Sequence, residues 1–261
     1  MVDVDVQTRD GGSRHGVILP GTRHRGPRLG SPVWAHSSAA GGSQVGRRWV
    51  TLWVTRWVAR YLGAVRIIAG EFRGRRIAPP RGKDTRPMLD RVRESLFSTL
   101  GDLVPGARVL DLFAGTGSLG LEALSRGAQF VRFVERDRGA RELLAKNLDT
   151  LQVGSRADLA GGDALSPDQW SRDDLPPAAD LVLMDPPYPL WRDRRGRTRL
   201  LEAVERLLED VLEQGGVLVL HTHPRDLRAE DLPASATPEC RVYGNTALWY
   251  LWSPARAGAE D

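Results

Sequence analysis

Val109-Leu110-Asp111-Leu112-Phe113-Ala114-Gly115-Thr116-Gly117-Ser118-Leu119-Gly120 carries more of the fold than any other stretch of the chain. Val109 to Phe113 is a short apolar run, with the length of a buried strand. The glycines after it permit a tight turn and let a ligand approach bare backbone at the start of the next helix, read at Ser118 to Ser125. Glu135 closes a second strand, Phe130 to Glu135, 20 residues after Gly115. An acidic residue at that distance can hold ribose hydroxyls, so strand, glycine turn, helix and acid together describe a nucleoside site on a parallel sheet.

The rest of the body keeps alternating strand and helix, the pattern of a parallel sheet covered on both faces. Further strands are read at Ala157 to Ala160, Leu181 to Met184 and Val217 to His221, with helices at about Arg138 to Leu151 and Leu200 to Leu212. Cys240 to Tyr243 and Ala247 to Trp252 flank Gly244-Asn245 as a terminal hairpin, which would add an antiparallel strand to the sheet. Gly115, Gly117 and Gly120 also match the dinucleotide fingerprint, so a nicotinamide or flavin enzyme is a competing reading. Asp111 weighs against it, because an acid before the glycines suits a cationic amino-acid moiety better than a pyrophosphate. Asp163, in Gly162-Asp163-Ala164 after the third strand, stands where an acceptor for an adenine amino group is expected, and a turn aspartate is the plain alternative.

Asp185-Pro186-Pro187-Tyr188 follows the apolar run Leu181 to Met184. It places a carboxylate, two backbone units without N–H and an aromatic ring at one strand end. An exocyclic amine on a nucleobase is a poor nucleophile, because its lone pair is delocalised into the ring. Acceptors that take its hydrogens turn the lone pair toward an electrophile, and the Asp185 carboxylate and the Pro186 carbonyl can serve as two of them. The prolines hold φ near about −65° and keep competing donors away. Tyr188 can stack on the base, worth roughly 1 to 3 kcal/mol. S-adenosylmethionine has both an amino-acid end for Asp111 and an electrophilic methyl, and a dehydrogenase has no use for the proline turn. A strand that merely ends in a proline turn is the structural alternative.

Charge is uneven along the 261 residues. Residues 1 to 64 carry a net +6, residues 65 to 95 a net +5, and residues 96 to 261 a net −7. A basic front on an acidic body fits a nucleic-acid footprint confined to one region. The single cysteine, Cys240, excludes an internal disulfide and a cysteine zinc cluster, no other metal cluster is read, and the expected setting is cytoplasmic. No stretch is long and apolar enough to span a membrane. Residues 1 to 64 are rich in Gly, Ser, Pro and Arg and are expected to be disordered. Trp49, Trp53 and Trp57 within them fall at helical spacing beside Arg56 and Arg60. Val65 is a candidate for the true start of the protein.

Val65 to Ala69 and Phe72 to Ala78 read as a small hairpin around Gly70-Glu71, studded with Arg66, Arg73, Arg75 and Arg76. Arg86-Pro87 opens a helix whose Leu89, Val92, Leu96 and Leu100 share a face, with Arg86, Arg91 and Arg93 elsewhere on its surface. Those seven arginines are the candidate RNA-binding set. Arg192, Arg194, Arg195, Arg197 and Arg199 after the proline turn read as a second phosphate-contacting run or as a solvated loop. His221 and His223 read as ordinary turn residues, and Cys240 as packing.

Residues 65 to 252 resemble the RsmD family of 16S rRNA guanine-N2 methyltransferases. The matching text is Val65 to Gly70, Phe72-Arg73-Gly74, Arg86-Pro87, Asp90 to Phe97, Asp111 to Gly127, Asp185 to Tyr188 and Tyr243 to Thr246. The glycine block and the proline turn recur in many methyltransferases, and the two basic segments are more specific. Departures are Val65 where the family opens with methionine, and Met88 where it usually has threonine.

The resemblance implies an α/β fold: a Rossmann-like class I S-adenosylmethionine-dependent methyltransferase sheet of seven strands, the last antiparallel. A basic hairpin at 65 to 85 would precede a methyltransferase domain at 86 to 254, with a tail at 255 to 261. S-adenosyl-L-methionine is the implied cofactor, held by Asp111, Phe113, Ala114, Gly115, Thr116, Gly117, Glu135, Asp163 and Ala164. Asp185, Pro186, Pro187 and Tyr188 are the implied catalytic residues. The partner is 16S rRNA or the assembling small ribosomal subunit, and a monomer is expected. The alternatives are an adenine-N6 DNA methyltransferase, which shares the proline turn, and a non-catalytic RNA-binding assembly factor.

Overall fold

The computed structural model describes residues 65–79, 88–170 and 178–253. The expectations for residues 1 to 64, for Arg86-Pro87 and for the C-terminal tail lie outside these residues.

Seven strands form one sheet: β3 (Arg108–Leu112), β4 (Phe130–Val134), β5 (Ala157–Ala160), β6 (Ala179–Met184), β7 (Leu212–Thr222), β8 (Thr237–Tyr243) and β9 (Thr246–Trp252). Their order is β5-β4-β3-β6-β7-β9-β8. The first five are mutually parallel, and β9 runs antiparallel to both β7 and β8. This is the seven-stranded order, with the last strand of the chain antiparallel, that the resemblance implies. The chain direction across it reverses between β3 and β6, and α/β sheets bind ligands in the crevice at such a switch point. β8 forms an exposed edge, where Pro238 costs no ladder bond that a neighbour would need.

Strand residues alternate between two apolar layers. Val109, Val131, Phe133, Leu181, Leu183, Val217 and Val219 face α1 (Asp90–Leu100), α2 (Ser118–Ser125) and α3 (Arg138–Leu151). Leu110, Leu112, Val134, Val182, Met184, Leu218 and Leu220 face α4 (Tyr188–Arg192) and α5 (Arg194–Arg206). Burial on both faces explains why these strands read as continuous apolar runs. The Asp137 side chain caps α3 by accepting from the Ala140 N–H, a contact worth about 1 kcal/mol.

Several boundaries differ from the sequence reading. The ladder is confined to β1 (Val65–Arg66) and β2 (Arg76–Ile77), because the N–H groups of Ile68, Ala69, Glu71 and Phe72 turn to α2, while Ile67 N–H to Arg75 O and Gly74 N–H to Ile67 O still cross the hairpin. Glu71 N–H donates to Ser125 O at 2.7 Å and Phe72 N–H to Ser125 Oγ at 2.9 Å. In α1, Val92, Leu96 and Leu100 are buried as expected, but Leu89 precedes the helix and is 59% exposed. The helix expected at Leu200 to Leu212 begins at Arg194, capped by Asp193 through the Gly196 N–H, and gives way to a π-helical turn at Leu207–Val211. The arginine run read as a loop is therefore helical. β7 starts five residues earlier than read and β8 three.

Candidate active site

The parallel strands deliver the candidate side chains to one edge of the sheet. Asp111 lies in β3, Glu135 follows β4, Asp163 follows β5 and Asp185 follows β6, all at carboxyl ends. The turn after β3 needs left-handed backbone at Phe113 (φ 61°), Gly115 (φ 56°) and Gly117 (φ 85°). A Cβ on Gly115 would meet no atom within 4 Å, so the loop turns bare backbone toward open space. Gly117 has a different reason to be glycine, since a Cβ there would come 2.4 Å from Leu144 Cδ1.

Two side chains pin this loop from behind. Glu135 Oε2 accepts the Gly115 N–H at 2.8 Å, while its Oε1 accepts the Asp137 N–H at 2.7 Å. Asn147 Nδ2 donates to Thr116 O at 2.9 Å, and its Oδ1 accepts the Ala78 N–H at 2.8 Å. Each Glu135 oxygen keeps a further lone pair, so the residue can still accept from hydroxyls.

Asp111 lies beneath the loop, 1% exposed, with Oδ2 accepting the Gly120 N–H at 2.9 Å. Burial pushes its pKa up to about 8, opposed by the Gly120 N–H and assisted by the negative charges of Asp185 and Glu135. Burial thus favours the neutral carboxyl, and a cation brought against it would favour the ionised form. Asp163 has both oxygens engaged: Oδ1 accepts the Leu165 N–H at 3.1 Å and Oδ2 pairs with Arg199 at 2.6 Å. Burial disfavours its charge, but those hydrogen bonds and the nearby Arg199 and Arg136 hold its pKa below the ordinary value. Ala164 is buried beside it.

Asp185 begins one residue past β6, its N–H donating to Leu112 O at 3.3 Å across the switch point. Pro186 is buried, whereas Pro187 and Tyr188 are exposed. Tyr188 is 40% exposed. Asp185 Oδ1 lies 2.5 Å from His221 Nδ1. His221 is thus a strand residue beside the candidate acceptor, not the ordinary turn residue read from the sequence. A usable signal was present: Leu181 to Met184 and Val217 to Leu220 are matched apolar runs, each followed by a polar residue.

Among the candidate RNA-binding residues, Arg66, Arg73, Arg75, Arg76 and Arg91 are exposed. Arg66 pairs with Asp90 at 2.8 Å, and Arg75 donates to Thr150 O. Arg93 is corrected: at 1% exposure it cannot reach a phosphate. It donates to Arg66 O at 2.5 Å and lies 3.8 Å from fully buried Glu122, whose oxygens accept the Ile68 and Ala69 N–H groups. Its role is to lock the hairpin onto α1 and α2. In the second arginine run, Arg197 pairs with Asp231 and Arg199 with Asp163.

The family model described as "Conserved hypothetical protein 95" matches residues 65–252. The chain belongs to this family, the RsmD family. Ribosomal RNA small subunit methyltransferase D of Escherichia coli (strain K12) is 43% identical over 148 residues, 57% of this chain and 68% of that protein. Its namesake in Haemophilus influenzae is 42% identical over 127 residues, 48% of this chain and 65% of that one. The solved structure of yhhF from Escherichia coli superimposes with a TM-score of 0.61 at 33% identity, covering 74% of this chain and 100% of its own. Membership in the RsmD family sets aside the dinucleotide reading of the glycine turn. No helix among the described residues is long and apolar enough to cross a membrane.

Proposed function

We propose that this protein transfers a methyl group from S-adenosyl-L-methionine to the exocyclic N2 of a guanine in 16S rRNA. It would act as a cytoplasmic monomer on the RNA or on the assembling small subunit. The observation that carries the reading is the Asp185 to Tyr188 turn at the switch point, one strand away from the open glycine loop.

The residues present fit the cofactor. Gly115 offers backbone with open space before it, Glu135 has spare acceptor capacity for a ribose, and Asp111 is a buried acid suited to an ammonium group. When bound, S-adenosylmethionine supplies a methyl group on a sulfonium, an electrophile that needs no further activation. Asp185 and the Pro186 carbonyl accept the two amino hydrogens and aim the nitrogen lone pair. Tyr188 holds the base by stacking after it has been turned out of the RNA, which is easiest for an unpaired base. The amino proton becomes acidic only once the new C–N bond forms, and Asp185 or water then takes it. The exposed arginines of residues 65–79, with Arg91, supply phosphate contacts that fix register without reading sequence.

The test is transfer of labelled methyl from S-adenosylmethionine to small-subunit RNA from a strain lacking this gene, followed by nucleoside analysis. N2-methylguanosine is the expected product. N6-methyladenosine would move the case to adenine methylation, and cofactor binding with no transfer to any rRNA would favour a non-catalytic assembly factor.

A further inference from the structure

We propose that His221 is a positioning residue for Asp185, holding one carboxylate oxygen by an Nδ1–H donation so that the other is presented to the substrate amine. This rests on the reading of Asp185 as the amine acceptor given above.

Three observations carry it. The first is the backbone. Met184 of β6 is in register with Leu220 of β7, so Asp185 and His221 are the next residues along two hydrogen-bonded neighbours. β7 is also paired to β9 on its other side, with His221 opposite Leu248, and its backbone is fixed from both edges. The second is the contact itself: Nδ1 to Oδ1 is 2.5 Å, with the His221 side chain 12% exposed and Asp185 33%. A carboxylate partner requires the proton on Nδ1, in the neutral ring as in the charged one. Burial works against charge on the ring, and the neighbouring Asp185 outweighs it, so the His221 pKa lies above its ordinary value. The donation to the Asp185 carboxylate is therefore available in both protonation states of the ring.

The third is what surrounds the ring. His221 Nε2 is buried with no hydrogen-bond partner, and Tyr188 packs edge-on at 6.1 Å between centroids. The imidazole has one polar anchor, Asp185, and makes an edge contact with the ring expected to stack on the base. A carboxylate without that anchor would swing about its side-chain torsions and present its acceptor in the right place only part of the time. Small misplacements of a reacting group are costly, on the order of a hundredfold per ångström.

The experiment measures kcat, KM and cofactor affinity of the full chain with S-adenosylmethionine and small-subunit RNA lacking the modification, for wild type, Asp185→Ala, His221→Ala, His221→Asn and His221→Gln. The expected result is that His221→Ala lowers kcat about ten- to a hundredfold and leaves the affinity for S-adenosylmethionine within about twofold. Asn places its amide nitrogen near the position of Nδ1, so His221→Asn should recover most of the loss, whereas His221→Gln, with its nitrogen nearer the Nε2 position, should not. An undiminished kcat in His221→Ala, or no advantage of Asn over Gln, overturns the inference. Should His221→Ala fail to fold, the contrast between Asn and Gln decides the matter. Loss of turnover in Asp185→Ala alongside a fully active His221→Ala defeats the inference and leaves the site reading standing, while an active Asp185→Ala removes both.

Discussion

Cofactor affinity should rise steeply with pH because of one buried carboxyl. Asp111 sits beneath the glycine loop with a pKa pushed to about 8, so below that pH it is mostly neutral in the free protein. An ammonium group binds the ionised form, and binding must then expel the proton. Well below the pKa this weakens affinity about tenfold per pH unit. Going from about pH 5.5 to about pH 7.5 should tighten S-adenosylmethionine binding roughly fiftyfold, or about 2.3 kcal/mol, and the curve should pass through a maximum at about pH 8, where the ammonium group itself begins to lose its proton. Calorimetric titration in buffers of different ionisation enthalpy would report both the affinity and the release of close to one proton. Asp111→Asn should bind weakly and without that slope. A flat wild-type profile, or a slope that survives in Asp111→Asn, would refute the reasoning. The sign for stability runs the other way. A folded pKa above the unfolded one gives stability that is whole below about pH 4 and lost as pH rises toward 8, so Asp111→Asn should raise the Tm of the cofactor-free protein more at pH 8 than at pH 5.

Other consequences concern the hairpin. A Cβ on Gly70 would fall 1.8 Å from Ser125 O, at φ 80°, so Gly70→Ala should cost roughly 3 kcal/mol or more in a urea melt. Gly74→Ala, at φ 81° but with no atom within 4 Å, should cost only about 1 to 2 kcal/mol, and equal midpoints would contradict the docking on Ser125. Glu122→Ala removes the buried carboxylate beside Arg93, which keeps only Asp90 and the Arg66 carbonyl, and leaves the half-buried Ile68 and Ala69 N–H groups without their acceptor, an expected loss of about 3 to 5 kcal/mol; a Tm close to wild type would show the cluster to be idle. Arg73→Ala and Arg91→Ala should each weaken RNA binding and lower the slope of log affinity against log salt by about 0.7 to 0.9, with an unchanged slope arguing against a phosphate contact.

The parallel sheet was legible because its central strands are buried on both faces and read as largely apolar runs bounded by turn residues, with ends placed within about two residues for β3 to β6. The glycine turn and the proline turn were legible because their residue types are demanded by backbone and chemistry at the spot. What the sequence hid was long-range pairing. Arg93 looked like one more basic surface residue, and only the fold brings Glu122 against it. Phe72 has the alternation of a strand, yet its N–H goes to Ser125 rather than across a ladder, a choice that local pattern does not encode. Residues 194 to 199 carry no apolar stripe, so the first turns of α5 and their Asp193 cap became visible only in the structure. His221 needed the register of β6 against β7.

The glycine loop shows where ordering is done in this molecule. Glu135 holds the Gly115 N–H, and Asn147 holds the Thr116 carbonyl while also gripping Ala78. The peptide between those two residues is therefore clamped at both ends before any ligand arrives. The entropy of arranging it is surrendered once, when the chain folds, and is not charged again to each binding event. On the proposed reading, a cofactor that leaves as product after every turnover would meet a cradle that is already set, and its exchange would not wait for the loop to find its shape.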